Sequence, residues 1–371
     1  LFFVTLGLVG LFLPLVEMPW ARLAQAQAPS PIGLMQTAVA GVPVTVATVA
    51  LDHPDLQITL ETARGGAGGR EPLAQFGRRL PPVAIAVPGA YFSTANGRPV
   101  GNLVRDFRVL NQAPHRQSGT TLVFDADNRA SIVRGLAIRL GYQINDGLAW
   151  WESPGYNLLH GLNSPLPAAG DSLKGYNRFY TRRQVQLGQA RAAVVEGERV
   201  TSVWRGGTLE IPPYGFVIAG QGRAAAKIDR LVPGTWLHVQ PVAEPPVPGR
   251  LRTAVGAGPT LVQAGRVVAD WRGEGFRDRA IAGRTSRVVI GLASPVRLKV
   301  IVIQGGVDLA AAGRIALALG CRDAMNLDGG SSTGMWAFGR SLVTPSRPLT
   351  NVLSFTVPGA SLATPAVSPQ G

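Results

Sequence analysis

The chain has 371 residues, enough for one large domain or two modest ones. Lys and Arg number 36 against 22 acids, a formal charge of +14 in a chain of which only 16% is charged, and this balance favours anionic partners. The arginines are scattered through pieces such as RDFRVL, TRRQ and GRTSR rather than clustered, so nucleic acid is not an expected partner, and Cys321 as the only cysteine excludes an intrachain disulfide.

The chain begins with LFFVTLGLVGLFLPLV, an apolar run of 16 residues. A membrane span needs about 20. The following ARLAQAQAPS has small residues at alternate positions and suits an A-x-A cleavage site after Ala26. Residues 1–28 therefore read as a signal peptide or, if uncleaved, an N-terminal anchor, and the protein as exported to the periplasm or cell exterior. That anchor is the one membrane contact expected. Residues 29–40 read as a linker, 41–358 as the main domain with an inserted β-rich part over about 120–250, and 359–371 as a disordered tail.

Within the domain, VPVTVATVAL (42–51) and LQITLET (56–62) read as paired strands. EPLAQFGRR (71–79) reads as a helix and PVAIAV (82–87) as a buried strand that delivers a loop, PGAYFSTANGRPVGN (88–102). Many short apolar runs broken by Gly, Pro, Asn and Asp follow, as in a strand-rich body. From about residue 250, GPTLVQAGRVV reads as a hairpin, and SRVVIGLAS and LKVIVIQ as buried strands. VDLAAAGRIALALG is a helix with Asp308 at its start and Gly320 at its stop. Strand DAMNL, the loop DGGSST, strand GMWAFG and a closing strand NVLSFTV (351–357) complete a mixed α+β, strand-rich sheet protein with few helices.

The loop after Leu327 carries the chemistry. Glycines let backbone amides turn toward an anion, adjacent hydroxyls add donors, and Asp328 places a carboxylate at the strand tip. Asp-Gly is also a turn signal, so a plain hairpin between the two flanking strands is the competing reading. GSSTG formally matches G-x-S-x-G, but the four histidines all precede it and no helix start follows, which argues against a serine hydrolase elbow. No Lys-Ser or Lys-Thr follows the glycines, so a P-loop fails as well.

NLDGGSST resembles the signature of the phosphodiester glycosidase family, and other pieces follow in that family's order. AIAVPGAYFSTANGRPVGN is similar to its strand and NGGYF segment, with Pro88 where the family usually has Asn and Ala90 in place of a glycine. IPPYGFVIAGQG, GPTLVQAGRVV and GRTSRVVIGL resemble three further segments, the last keeping Arg287 and losing a threonine. The resemblance covers roughly 40–357 and implies a phosphodiester glycosidase-like fold that hydrolyses a sugar-1-phosphodiester in cell-envelope or extracellular polysaccharide. It implies Asp328 as base or nucleophile and Arg287 as the fork on the phosphate, while Glu274, in a Gly-rich loop beside Arg272 and Arg277, is a candidate second carboxylate with a solvated loop acid as the competing reading. Asn326, Gly329, Gly330, Ser331, Ser332, Thr333 and Arg284 would bind phosphate or substrate, and Tyr91 and Phe92 would stack on a sugar. No cofactor is expected. A divalent metal at Asp328, making a metal-dependent phosphodiesterase, and a non-catalytic module for anionic envelope glycans are the two alternatives.

Overall fold

The computed structural model describes residues 30–64, 68–113, 119–144, 155–180 and 182–360. The segment expected at 1–28 lies outside these residues, as does the expected tail from 361 onward.

The apolar runs of the second half are near-continuous because their strands are covered on both faces. In Thr285–Ser294 and Arg297–Val307, Val288, Ile290, Val300 and Val302 enter one core while Val289, Ile301 and Ile303 enter another. These two strands sit inside a seven-stranded antiparallel sheet. It runs in the order Ile32–Val39, Val42–Ala50, Arg297–Val307, Thr285–Ser294, Asp323–Asn326, Thr260–Gln263, Arg266–Val267. A five-stranded sheet packs on its first core face, in the order Arg340–Val343, Met335–Ala337, Ala84–Pro88, Asn351–Thr356, Gln57–Thr62. Ile85, Val87, Leu353 and Phe355 are its contribution to the shared core.

Each outer face is closed by a helix. Leu309, Ala312, Ile315 and Ala316 of helix Leu309–Ala318 pack on Val44, Val46, Val289 and Ile301. The Asp308 carboxylate caps this helix by accepting from the Ala311 amide at 2.7 Å, as the sequence suggests. Leu73 and Phe76 of helix Leu73–Gly77 cover Ala86, Trp336 and Val352. The result is a helix–sheet–sheet–helix stack, strand-rich with few helices, as the sequence implies.

Two expectations need correction. Ile32–Val39, placed in a linker, is an edge strand paired with Val42–Ala50 from Ile32↔Val49 to Val39↔Val42. Having that partner on one side and Arg297–Val307 on the other, Val42–Ala50 does not pair with Gln57–Thr62. The latter joins Asn351–Thr356 in the other sheet.

Among the described residues, three further sheets lie outside this sandwich. Two of them take all their strands from the stretch between Ala137 and Glu244, narrower than the expected insert. Its first strand, Ala137–Ile144, pairs antiparallel with its last, Leu237–Glu244. Strands Thr120–Asp125 and Ala130–Arg134 instead join Leu251–Ala257 and Leu103–Arg105. No helix among the described residues is long and apolar enough to cross a membrane.

Gly101 returns the long 88–102 loop to this last sheet, and a Cβ there would meet the Gly256 carbonyl oxygen at 1.8 Å. The Gly256 amide bonds the Asn102 carbonyl at 2.7 Å, so neither backbone can retreat freely. Gly101→Ala is expected to cost about 3 kcal/mol in urea unfolding. Gly306→Ala, where a Cβ meets nothing within 4 Å, should cost much less, and equal losses would contradict this close approach.

Candidate active site

The DGGSST loop is a crossover between the sheets. Strand Asp323–Asn326 before it belongs to the seven-stranded sheet and Met335–Ala337 after it to the five-stranded one, so the plain hairpin reading is set aside. The crossover starts with Asp328, whose amide donates to the Gly89 carbonyl at 3.0 Å and so ties it to the end of strand Ala84–Pro88. The carboxylate thus lies at the seam of the two sheets, with Asp328 only 3% exposed.

Its principal partner is a residue that the sequence reading missed. Arg347 Nη2 donates to both Asp328 oxygens, at 3.1 and 3.3 Å, and Arg347 Nε donates to Ser332 Oγ at 2.6 Å. The guanidinium also lies 4.7 Å from the centre of the Phe92 ring. The Arg347 side chain is 29% exposed, so the pair faces outward through its cation. The amides of Ser346 and Arg347 donate to the Ser331 carbonyl, strapping the TPSRP segment to the crossover.

Burial pushes the Asp328 carboxyl up to about 6, against bonds from Ser332 and Arg347, the Arg347 charge and a bond from the Gly329 amide, all of which lower it. Desolvation wins because nearly all of the group is out of water. Moving from the ordinary 3.8 to about 6 means that the fold disfavours the ionised form by about 3 kcal/mol.

A second cluster gathers at Tyr91. Its hydroxyl donates to the Gly258 carbonyl and accepts from Asn326 Nδ2, each at 2.6 Å. Burial and then the nearby Asp328 charge raise its pKa, with the charges of Arg287 and Glu274 also felt there. Asn326 thus touches this hydroxyl, while Asp328, Arg287 and Glu274 lie near enough for their charges to act on it. Asn326 Oδ1 is buried and accepts no hydrogen bond.

Several expected roles change. Arg287, expected to fork onto phosphate, is 2% exposed and spends its donors on backbone: Nε on the Val307 carbonyl at 3.0 Å, and Nη2 on those of Ile281 and Gly283. Burial lowers its pKa. Glu274 is neither a solvated loop acid nor a free second carboxylate. Its oxygens accept from Thr120 Oγ1 at 2.6 Å and the Thr260 amide at 2.9 Å, with Arg134 3.7 Å away.

Phe92 is not an open sugar platform, because the guanidiniums of Arg347 and Arg70 lie over its ring. Tyr91 acts through its hydroxyl, and its ring meets Phe276 edge-on at 6.1 Å. Ser332 is fully buried on Asp328 and Arg347, and Thr333 accepts from Ser286 Oγ at 3.1 Å. Gly329 and Gly330 are half-buried, with Gly330 at φ +60°, where glycine is favoured. Ser331 and Arg284 are exposed at the rim.

Asn351 was also missed. Its side chain accepts from the Ala90 amide at 2.7 Å and donates to the Ala90 carbonyl at 3.1 Å, holding the segment that carries Tyr91. The polar residue opening the closing strand was the available signal. Arg347, in a turn-like proline-flanked segment, gave none. Among the described residues, no three His, Cys, Asp or Glu side chains gather as a metal ion requires.

Two stability measurements follow. Because the folded-state value of Asp328 lies above the unfolded one, its stabilising contribution is complete below pH about 4 and is lost as pH rises through about 6. Asp328→Asn should therefore gain about 1–3 kcal/mol over the parent at pH 8 and nothing at pH 4 by chemical denaturation. A gain independent of pH would contradict the burial argument. Arg287→Lys should lose about 2–4 kcal/mol of stability, since one ammonium cannot satisfy the three carbonyls.

Residues 189–356 match the family model described as phosphodiester glycosidase. No curated protein matches the chain. Among solved structures, a Synechocystis protein of unassigned function is similar at a TM-score of 0.65 and 22% identity, over 88% of this chain. This chain spans 62% of that protein's length. A presumed exported protein of Burkholderia pseudomallei K96243 is similar at 0.58 and 22% identity, over 85% of this chain and 74% of its own. The zebrafish N-acetylglucosamine-1-phosphodiester alpha-N-acetylglucosaminidase catalytic domain, auto-inhibited by its pro-peptide, aligns at 0.45 and 12% identity, over 88% and 82%. The family that NLDGGSST resembles is thus the family whose model matches residues 189–356, the stretch holding Asp328, Asn326 and Arg347.

Proposed function

We propose that this protein is an exported hydrolase of sugar-1-phosphodiesters, with Asp328 as the reacting carboxylate and Arg347 as the cation that meets the phosphate. The observation that carries the reading is the buried Asp328 carboxylate, held near pH 6 in its titration and bound on both oxygens by a part-exposed arginine. The family match over 189–356 supports it.

Above pH about 6 Asp328 is ionised and can take a proton from water attacking the anomeric carbon. The bond from that carbon to the phosphate oxygen breaks, and its electron pair leaves with the phosphate monoester, which needs no protonation to depart. Arg347, holding Asp328 through Nη2 and Ser332 through Nε, has Nη1 left for a phosphate oxygen. Asn326 Oδ1, buried without a donor, would accept a sugar hydroxyl, and an unmatched buried acceptor of this kind costs about 1–3 kcal/mol until it is filled.

The test is turnover of a panel of sugar 1-(methyl phosphate) diesters and of 4-nitrophenyl glycosides of the same sugars, with and without EDTA. Asp328→Asn should lower kcat/KM by about a hundredfold or more. Arg347→Lys should cost about 10- to 100-fold on the phosphodiester and far less on the neutral glycoside. In the parent, kcat/KM should rise with pH through about 6, since the base must be ionised; a fall would make Asp328 an acid instead. Loss of activity in EDTA would favour the metal-dependent alternative, and no turnover of any substrate the non-catalytic one.

A further inference from the structure

A cleft of about 640 Å³ opens between the 88–102 loop and the stretch beginning at Ala137. This volume is in the range of small-molecule sites. One hairpin connects it to Asp328. Phe92, in contact with Arg347, bridges Pro99 across that hairpin, and the Val100 amide donates to the Tyr91 carbonyl at 2.9 Å. Directly opposite residues share a face, so Pro99, which lines the cleft, stands on the same side as Phe92.

Among the described residues the lining holds no aspartate or glutamate but includes Arg98, Arg139 and His160. Arg98 spends one donor on the Asn163 carbonyl at 2.7 Å, and Arg139 has a distant, exposed counter-charge in Glu244 at 3.9 Å. Lys174 stands behind the wall, donating to Ser164 at 3.0 Å. The Leu173 amide donates to His160 Nδ1 at 3.2 Å, which leaves Nε2 as the donor of the neutral ring. Gln112, also in the lining, has a buried Oε1 that accepts no hydrogen bond. Cations surrounding an unfilled acceptor suit a ligand with both hydroxyls and an anionic group.

Resting on the phosphodiester glycosidase reading, we propose that this cleft binds the aglycone, the group on the far side of the phosphate. That group is a polyhydroxylated chain bearing its own carboxylate or phosphate.

The test uses full-length Asp328→Asn protein in calorimetric titration with tetragalacturonate (carboxylate source), a glycerol phosphate tetramer (phosphate source) and maltotetraose as the neutral control. At least one acidic ligand should bind about tenfold or more tightly than maltotetraose, weakening as salt rises. Arg139→Gln and Arg98→Gln, made separately and checked for an unchanged melting temperature, should each reduce that binding by about fivefold or more. In the parent background they should leave turnover of a sugar 1-(methyl phosphate) diester unchanged. They should raise KM for the diester whose aglycone is the acidic tetramer. Equal binding of acidic and neutral ligands, or indifference to both substitutions, would overturn the proposal. Acid-selective binding with no turnover of any diester would overturn the hydrolase reading and the aglycone role, leaving an anion-binding cleft.

Discussion

Taking the Asp328 carboxylate out of water costs more than its hydrogen bonds return, and much of the neighbouring structure compensates for that cost. The crossover between sheets gives the residue a buried position without breaking either ladder, because the chain has to leave one sheet and enter the other at this point. Its backbone is held by Gly89, its oxygens by Arg347 and Ser332, and the Arg347 segment by the Ser331 carbonyl. A loop serving only to turn the chain would have no reason to bury a charge. On the proposed reading, the imbalance has the form of a stability–activity trade-off, in which a group is kept in an unfavourable state because that state would be the reactive one.

Around it, polar side chains divide into those that work on the backbone and those left available. Arg287, Glu274, Asn102 and Asn351 are buried and spend their hydrogen bonds on the backbone or hydroxyls of neighbouring elements. Asn326 and Arg347 are different: one keeps a bare acceptor and the other a part-exposed guanidinium. Buried polar groups are ordinarily satisfied, so a bare acceptor on Asn326, next but one to Asp328, is consistent with a place in the site; Tyr142, Tyr176, Thr253 and Trp336 also keep buried polar atoms without a partner.

The layers were legible in the sequence because burial on two faces writes long apolar runs, and because Asp308 and Gly320 mark a helix at both ends. Strand partnership was not legible. Ser354 bonds the Thr59 carbonyl across 295 residues, and no local pattern encodes such a pairing. Asp328 could be picked out from its glycines and hydroxyls, yet its cation could not: the resemblance pointed to Arg287, and nothing in the sequence marked Arg347. Only the directions of their guanidiniums, toward three carbonyls or toward the acid, distinguish them. Glu274 misled for a related reason, since its glycine-rich surroundings suggested solvent where the fold places Thr120 and Thr260.

The antiparallel pairing of Ala137–Ile144 with Leu237–Glu244 means that the stretch between them departs and comes back side by side. A segment attached in this way can be exchanged, lengthened or trimmed over evolutionary time while the sandwich beneath keeps its register. Ile138, Arg139 and Leu162, which form one wall of the cleft, lie within it, whereas Asp328 and Arg347 do not. On the proposed reading, reaction chemistry and ligand preference would therefore sit on separately inheritable pieces of one chain. Relatives could diversify in what they grip without altering how they react.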